Sequence, residues 1–177
     1  MSTPTHHDVI IVGAGQAGLS LSHYLQQRGI DHLLLEKHTP VHAWRHQRWD
    51  AFCLVTPNWQ CKLPGHAYTG PEPHGFMKKD EVIAYLDAFV AKVNPPLMTG
   101  VTVHHVKRGP DGSFAIQTTA GDFTARQVVV CSGGYHEPVV PRLAERAATL
   151  KIRNGMEADA EMGPLVTAAH KAKVEGY

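Results

Sequence analysis

Three observations predict an α/β fold organised on a parallel sheet. A nearly continuous apolar run from Asp8 to Val12 ends at a glycine, the pattern of a strand buried on both faces. From Ala17 to Arg28 the apolar positions Leu19, Leu21, Tyr24 and Leu25 recur at helical spacing, and Gly29 supplies a left-handed C-terminal cap. His32 to Leu35 then forms a second apolar strand that terminates in Glu36, closing a βαβ unit within about 30 residues.

The remaining elements follow in chain order. Between Lys37 and Lys79 the sequence is rich in Pro, Gly, His and Trp with little periodicity, so loops with short elements are expected. The aromatics of that stretch, Trp44, Trp49, Phe52, Trp59, Tyr68 and Phe76, favour an ordered ligand wall. Asp80 and Glu81 suit the first turn of a second helix, whose apolar face is Val82, Ile83, Leu86, Phe89 and Val90. Gly100 to Arg126 alternates short β-like runs with turns at Pro110–Gly112 and Ala120–Asp122, the pattern of antiparallel hairpins. Gln127 to Cys131 is a further apolar strand, and it runs into Ser132, Gly133 and Gly134 as the first strand runs into its own glycine.

Composition narrows the function classes. The 177 residues are 43% hydrophobic and 7% aromatic, which suits a globular domain with a real core. With 17 basic and 16 acidic residues the net charge is +1, so no global field favours nucleic acid or an anionic membrane. No signal peptide and no run of roughly 20 apolar residues is present, and a cytoplasmic location is expected. Cys53, Cys61 and Cys131 form no CxxC pair, so reduced thiols are expected, with Cys131 a small packing residue. His38, His42 and His46 fall four residues apart, as ligands on one helix face would, but Pro40 interrupts the run and no further ligand set accompanies them. No metal is expected.

The chemistry lies in the turn GAGQAG, Gly13 to Gly18. Gly13 permits the bend, Gly15 lets backbone approach a pyrophosphate, and Gly18 lets the helix pack on the strand, while helix N–H groups and the dipole face the phosphates. Glu36, at the end of the second strand, is placed to accept from a ribose hydroxyl. An acid there disfavours a 2′-phosphate, so the site suits FAD or NAD rather than NADP.

The runs VGAGQAGLSLSHYLQQRG, LLLEKH, AWRHQRWDAFCLVTPN and VVVCSGGYHEPVVP resemble the FAD-binding half of the flavin-dependent monooxygenase-like oxidoreductases, over residues 7–142. The resemblance implies a Rossmann-like FAD-binding domain with a small antiparallel β hairpin insertion. It implies that Gly13, Ala14, Gly15, Gln16, Ala17 and Gly18 surround the FAD pyrophosphate and that Glu36 and Lys37 sit at the adenosine ribose. Trp44 and Arg45 match the Trp-Arg pair near the flavin, Val103 would meet the adenine through its backbone, and Gly133 matches the glycine of an ATG-like motif. The sequence departs from the pattern in carrying His42 and Ala43 where the family has two glycines, and Cys131-Ser132-Gly133 for ATG.

In the complete enzyme NADPH would be the reductant and the substrate a small molecule. No second GxGxxG follows Gly134, so the NADPH-binding domain is expected to be lacking. Without the strand and helix that complete the FAD domain in the family, that domain is expected to be incomplete and this short chain to be inactive. The segment 143–177, with MGPLVT at Met162–Thr167, resembles part of a methylmalonate-semialdehyde type of aldehyde dehydrogenase and is expected to be a helical tail without that family's catalytic residues. The leading function is an FAD-binding oxidoreductase of the monooxygenase-like group. The alternatives are a non-catalytic nucleotide-binding module and an NAD-dependent dehydrogenase fragment. No side chain is assigned as acid, base or nucleophile, because flavin chemistry does not require one.

Overall fold

Residues 4–133 are described by the computed structural model. Strand β1 (Thr5–Val12), helix α1 (Gln16–Gln27) and strand β2 (His32–Glu36) form the expected βαβ unit. They are followed by α2 (His42–His46), the two-residue strands β3 (Lys62–Leu63) and β4 (His66–Ala67), α3 (Lys79–Val93), β5 (Leu97–Thr99), β6 (Val103–Arg108), β7 (Phe114–Thr118) and β8 (Gly121–Val130). The main sheet has the order β5-β2-β1-β8-β7-β6, with β5, β2, β1 and β8 parallel and β8, β7 and β6 antiparallel. The mixed α/β class with an antiparallel insertion is as the sequence predicts.

Strand β1 begins three residues before its apolar run because its ladder with β8 continues down to Thr5 opposite Phe123. Helix α1 closes at Gly29, whose φ of +63° lets Gly29 N–H donate to the Gln26 carbonyl and Ile30 N–H to the Leu25 carbonyl, both at 3.0 Å. Its buried residues are Gly18, Leu19 and Ser22, while Tyr24, expected on the core face, is 46% exposed. Ser22 is tolerated in the core because it pairs with the buried His32 imidazole, Oγ to Nε2 at 2.8 Å.

The parallel sheet separates two cores, as the period-2 alternation of its strands requires. Val9, Ile11 and Leu34 face the helices, packing with Leu19 of α1 and with Val82, Leu86, Phe89 and Val93 of α3. Ile10, Leu33 and Leu35 face the other way and pack with Ile116, Phe123 and Ala125 of the antiparallel strands. The helices thus cover one face of the parallel strands, and side chains from the antiparallel strands pack with those of the other face. Fully burying Ile10, Ile11 or Phe89 contributes about 1.5–3 kcal/mol each.

The segment 37–78 is loop-rich, as expected, yet firmly tied. Buried Asn58 donates from Nδ2 to the Glu72 carbonyl at 2.9 Å and accepts the Met77 N–H on Oδ1 at 2.7 Å. Phe52 O and Leu54 N bond to Lys79 N and Met77 O, so residues 52–60 and 72–79 run side by side. The Tyr85 hydroxyl of α3 donates to the His66 carbonyl at 2.5 Å and thereby pins the β3–β4 hairpin to the helix. Strand β5, just after Pro95 and Pro96, is an element the sequence pattern did not reveal. Among the described residues no helix is long and apolar enough to cross a membrane. The expected helical tail, 143–177, lies outside the described residues.

Candidate functional site

The C-terminal ends of β1, β2 and β8 bring three segments of the predicted site to one sheet edge. Gly13 N–H donates to the Leu35 carbonyl at 2.8 Å, and Cys131 N–H donates to the Val12 carbonyl at 2.7 Å. The turn Gly13–Gly18, Glu36 and Cys131–Gly133 therefore lie together, where open α/β sheets bind their ligands.

Within the turn the three glycines have separate reasons. A Cβ on Gly13, already at φ +108°, would lie 2.6 Å from the Cys131 carbonyl oxygen. A Cβ on Gly18 would lie 2.1 Å from the Gly13 carbonyl oxygen and 3.3 Å from Ile11 Cγ2, which is the close strand–helix packing expected there. At Gly15 an added Cβ meets nothing within 4 Å. Gly13 and Gly18 answer to the protein's own packing, whereas Gly15 presents bare backbone to open space. Gly15 is also the N-cap of α1, which has no side-chain cap and no acid in its first turn. Its first-turn N–H groups, from Gln16, Ala17 and Gly18, and its positive dipole end suit an anion.

Glu36 is held by both carboxylate oxygens. Oε2 accepts the Ala14 N–H at 2.7 Å and Oε1 accepts the His38 N–H at 2.9 Å. Each oxygen retains a second lone pair for a ligand hydroxyl. The Ala14 carbonyl accepts the Val41 N–H at 3.1 Å, so the glycine turn is tied on both sides to the chain following β2. Lys37 is exposed beside this carboxylate.

The aromatic segment divides. Trp44 packs half-buried on the helix-side core and, with Gln16, lines a cleft of about 240 Å³ that also touches Thr56, Cys61, Tyr85 and Leu86. Trp49, Trp59 and Phe76 are exposed and do not line it. Arg45 forms an ion pair with Asp87 of α3, while Arg48 lies over the Trp44 and Phe52 rings at 4.9 and 5.8 Å from their centroids. Asp87 was not singled out from the sequence; it is an ordinary polar-face position of α3 and carries no local signal. Burial pushes the Cys61 and Cys131 thiols above the ordinary range, which keeps both as neutral packing groups.

His42 and Ala43, which stand where the family pattern has two glycines, are in α2 and need no glycine conformation; the left-handed residue is the one before them. Val41, the N-cap of α2, sits in the left-handed region at φ +56°, whereas His42 and Ala43 are helical. A β-branched residue rarely adopts that conformation; here Val41 is 2% exposed and anchored in the core.

Val103 opens β6 opposite Thr118, and His105 follows opposite Gln117, so His104 has no counterpart on β7. Such a bulge releases backbone groups from the ladder beside Val103. Val101, two residues earlier, donates its N–H to the Glu36 carbonyl at 2.9 Å, which ties this crossing to the end of β2. Gly133 has φ +85° and an added Cβ would meet nothing, a second point of bare backbone near the site.

Comparison with known proteins agrees with this geometry. The sequence model of the pyridine nucleotide-disulphide oxidoreductase family matches residues 10–158. An uncharacterized oxidoreductase CzcO-like of Geobacillus kaustophilus is 35% identical over 139 residues, covering 78% of this chain and 39% of that protein. The indole-3-pyruvate monooxygenase YUCCA1 of Oryza sativa subsp. japonica is 31% identical over 135 residues, 75% of this chain and 33% of its own. Among solved structures, the flavin-containing monooxygenase from Stenotrophomonas maltophilia superposes with a TM-score of 0.61 at 29% identity, over 73% of this chain and 39% of that one. The chain thus spans about two fifths of the CzcO-like relative and of the solved flavin-containing monooxygenase.

Proposed function

The chain belongs to the pyridine nucleotide-disulphide oxidoreductase family, and on that premise we propose that it is the FAD-binding part of a flavin-dependent oxidoreductase of the monooxygenase group. One observation carries the reading. Glu36 is fixed at the end of β2 by the Ala14 amide, beside the bare backbone of Gly15 at an uncapped helix N-terminus. That arrangement offers an acceptor for a ribose diol and donors for a pyrophosphate at one sheet edge.

In this reading Gly13, Ala14, Gly15, Gln16, Ala17 and Gly18 hold the pyrophosphate, and Glu36 with Lys37 orients the adenosine ribose. Backbone at Val103, released by the neighbouring bulge, meets the adenine. Trp44 and Arg45 stand toward the flavin, and Gly133 lets the chain after β8 approach it. FAD, when bound, supplies the redox and oxygen chemistry; these residues bind, orient and exclude water. NADPH is the reductant in the complete enzyme of this group. The substrate is a small molecule, the location cytoplasmic, and nucleic acid is no partner. Glu36 disfavours a 2′-phosphate at this first site, which supports FAD here and leaves NADP to the other.

The segment 143–177 is read as a tail resembling an aldehyde dehydrogenase fragment, on the strength of MGPLVT and the residues that follow it. The family match runs on to residue 158, into the first part of that segment, so the tail reading rests on Met162–Tyr177.

Purified protein reconstituted with FAD tests the function. A yellow protein that retains stoichiometric FAD through gel filtration supports it, and a protein that stays colourless, or that binds NAD but not FAD, overturns it. NADPH oxidation by the FAD-loaded protein then separates an active chain from a binding module.

A further inference from the structure

Trp44 reaches the cleft from an element too short to hold it. Helix α2 has five residues, no side-chain cap and no buried residue of its own. Isolated helices shorter than about 12 residues are marginal in water. The Arg45–Asp87 ion pair ties α2 to α3, but it does not set the side-chain torsions of Trp44. Two other neighbours do. The Phe52 ring meets the indole edge to face, with centroids 5.7 Å apart and planes at 74°. The Arg48 guanidinium carbon lies over both rings, 4.9 Å from the Trp44 centroid and 5.8 Å from that of Phe52. Phe52 is itself fixed, because its N–H donates to the Trp49 carbonyl at 3.1 Å and its carbonyl accepts the N–H of Lys79, the first residue of α3, at 2.9 Å. Arg48 is half-buried.

We infer that Arg48 is a positioning residue: its guanidinium, spread over Trp44 and Phe52, holds the indole in the orientation that lines the cleft shared with Gln16. The inference rests on the proposal that Trp44 stands toward the flavin. Gln16 is the first residue of α1, directly after Gly15, so the indole and the turn proposed for the pyrophosphate border one space. Tryptophan is the best of the aromatic side chains at attracting a cation to its face. A planar guanidinium suits that face better than an ammonium, since it stacks on the ring and is more weakly hydrated. The arginine next in sequence to Trp44 is therefore not the one that serves it. Arg45 goes to Asp87, and Arg48, four residues on and about one helical turn away, returns to the indole.

The test has two arms on the full chain. In the first, cofactor-free protein carrying Trp49→Phe and Trp59→Phe keeps Trp44 as the single tryptophan of the three in the sequence. Arg48→Ala should abolish the near-ultraviolet dichroism of that indole and raise its quenching by acrylamide, and Arg48→Lys should restore both in part. Arg108→Ala, which takes a guanidinium from the Phe114 ring on the antiparallel strands, should change neither. In the second arm, Arg48→Ala in the parent should lower FAD affinity about three- to tenfold by fluorescence titration. It should have no further effect once Trp44→Ala is present, because the arginine acts through the indole. If Arg48→Ala does not fold, judged by its thermal melt, Arg48→Met carries both arms, since it keeps an aliphatic stem against the rings without the charge. An unchanged Trp44 signal in Arg48→Ala overturns the inference. So do losses of FAD affinity that multiply in the double variant, which would make Arg48 a direct contact of the cofactor. A parent that binds no FAD overturns the function proposed above, and the first arm then still decides whether Arg48 sets the indole.

Discussion

Glu36 and Ala14, the end of β2 and the second residue of the glycine turn, are joined by a 2.7 Å hydrogen bond from the Ala14 N–H to Glu36 Oε2. The carboxylate that is proposed to bind ribose is thus also a brace for the turn proposed to bind pyrophosphate. Glu36→Ala removes both roles and leaves a part-buried N–H without its acceptor, at a cost of about 1–3 kcal/mol in urea unfolding. Glu36→Gln keeps one acceptor but sets an amide NH₂ against a backbone donor. Both variants should weaken FAD binding by about tenfold or more, read by flavin fluorescence titration, with Glu36→Ala losing more stability.

The glycine turn separates folding from binding. Gly15→Ala meets no protein atom and keeps an ordinary φ of −82°, so its stability should stay within about 1 kcal/mol of the parent, the scale of an N-cap change. Its methyl projects into the space where the pyrophosphate is proposed to lie, so FAD uptake should fall sharply. Gly18→Ala behaves oppositely. Its Cβ would sit 2.1 Å from a backbone oxygen, and the variant should be destabilised by several kcal/mol or fail to fold. Thermal melts with and without FAD distinguish the two, and a Gly15→Ala protein that binds FAD normally would remove the pyrophosphate assignment.

The contrast between those glycines also marks what the sequence makes legible. The βαβ unit is readable because burial on both faces of β1 and β2 forces continuous apolar runs, and because a tight strand–helix crossing leaves room only for glycine at Gly13 and Gly18. Glu36 is readable from its place at a strand end. The rest depends on tertiary partners. β5 has three residues after two prolines and forms because Leu34 N–H finds the Pro96 carbonyl at 2.8 Å. β8 runs back to Gly121, beyond its apolar half, because β7 and β1 pair with it along different stretches. Ser22 reads as a polar surface position until His32 is seen beside it, and the partnership of Arg45 with Asp87 spans two elements with no sequence relation. Val41 carries no signal of a left-handed turn, since valine is among the residues that adopt it least.

The Ser22–His32 pair should be structural. His32 is 4% exposed; its Nδ1 pairs with the Ile30 carbonyl at 2.8 Å, so Nε2 is left to accept from the Ser22 hydroxyl. Ser22→Ala removes that donor and leaves a buried ring nitrogen unsatisfied, and should cost about 1–3 kcal/mol in denaturant unfolding. FAD affinity of the folded fraction should not change, because neither side chain lies at the binding edge.

Thiol chemistry should divide the three cysteines. Cys53 is exposed, whereas burial raises the pKa of the half-buried Cys61 and Cys131 thiols. The thiolate is the reacting form, so at neutral pH one thiol should label quickly and two slowly. As pH rises, labelling of the Cys61 and Cys131 pair should accelerate at higher pH than an ordinary thiol's does, because burial raises their pKa and delays the thiolate. Mass spectrometry of iodoacetamide adducts across a pH series measures this, and rapid labelling of Cys131 at neutral pH would contradict its place as a packing residue.

Arg45 has two possible duties, and its pairing with Asp87 lets them be told apart. The two side chains are 34% and 45% exposed, so the ion pair contributes only about 0–1 kcal/mol after solvent screening. Arg45→Ala and Asp87→Asn should therefore each leave unfolding stability nearly unchanged. If Arg45 serves the flavin, its loss removes a charged hydrogen bond and should weaken FAD binding by about tenfold or more. Asp87→Asn frees the guanidinium from its competing partner, so FAD binding should stay the same or tighten. Paired FAD titrations and urea curves on the two variants measure both effects. Equal FAD affinity in the parent and in Arg45→Ala would make Arg45 a tether between α2 and α3, leaving Trp44 as the proposed contact of this segment with the flavin.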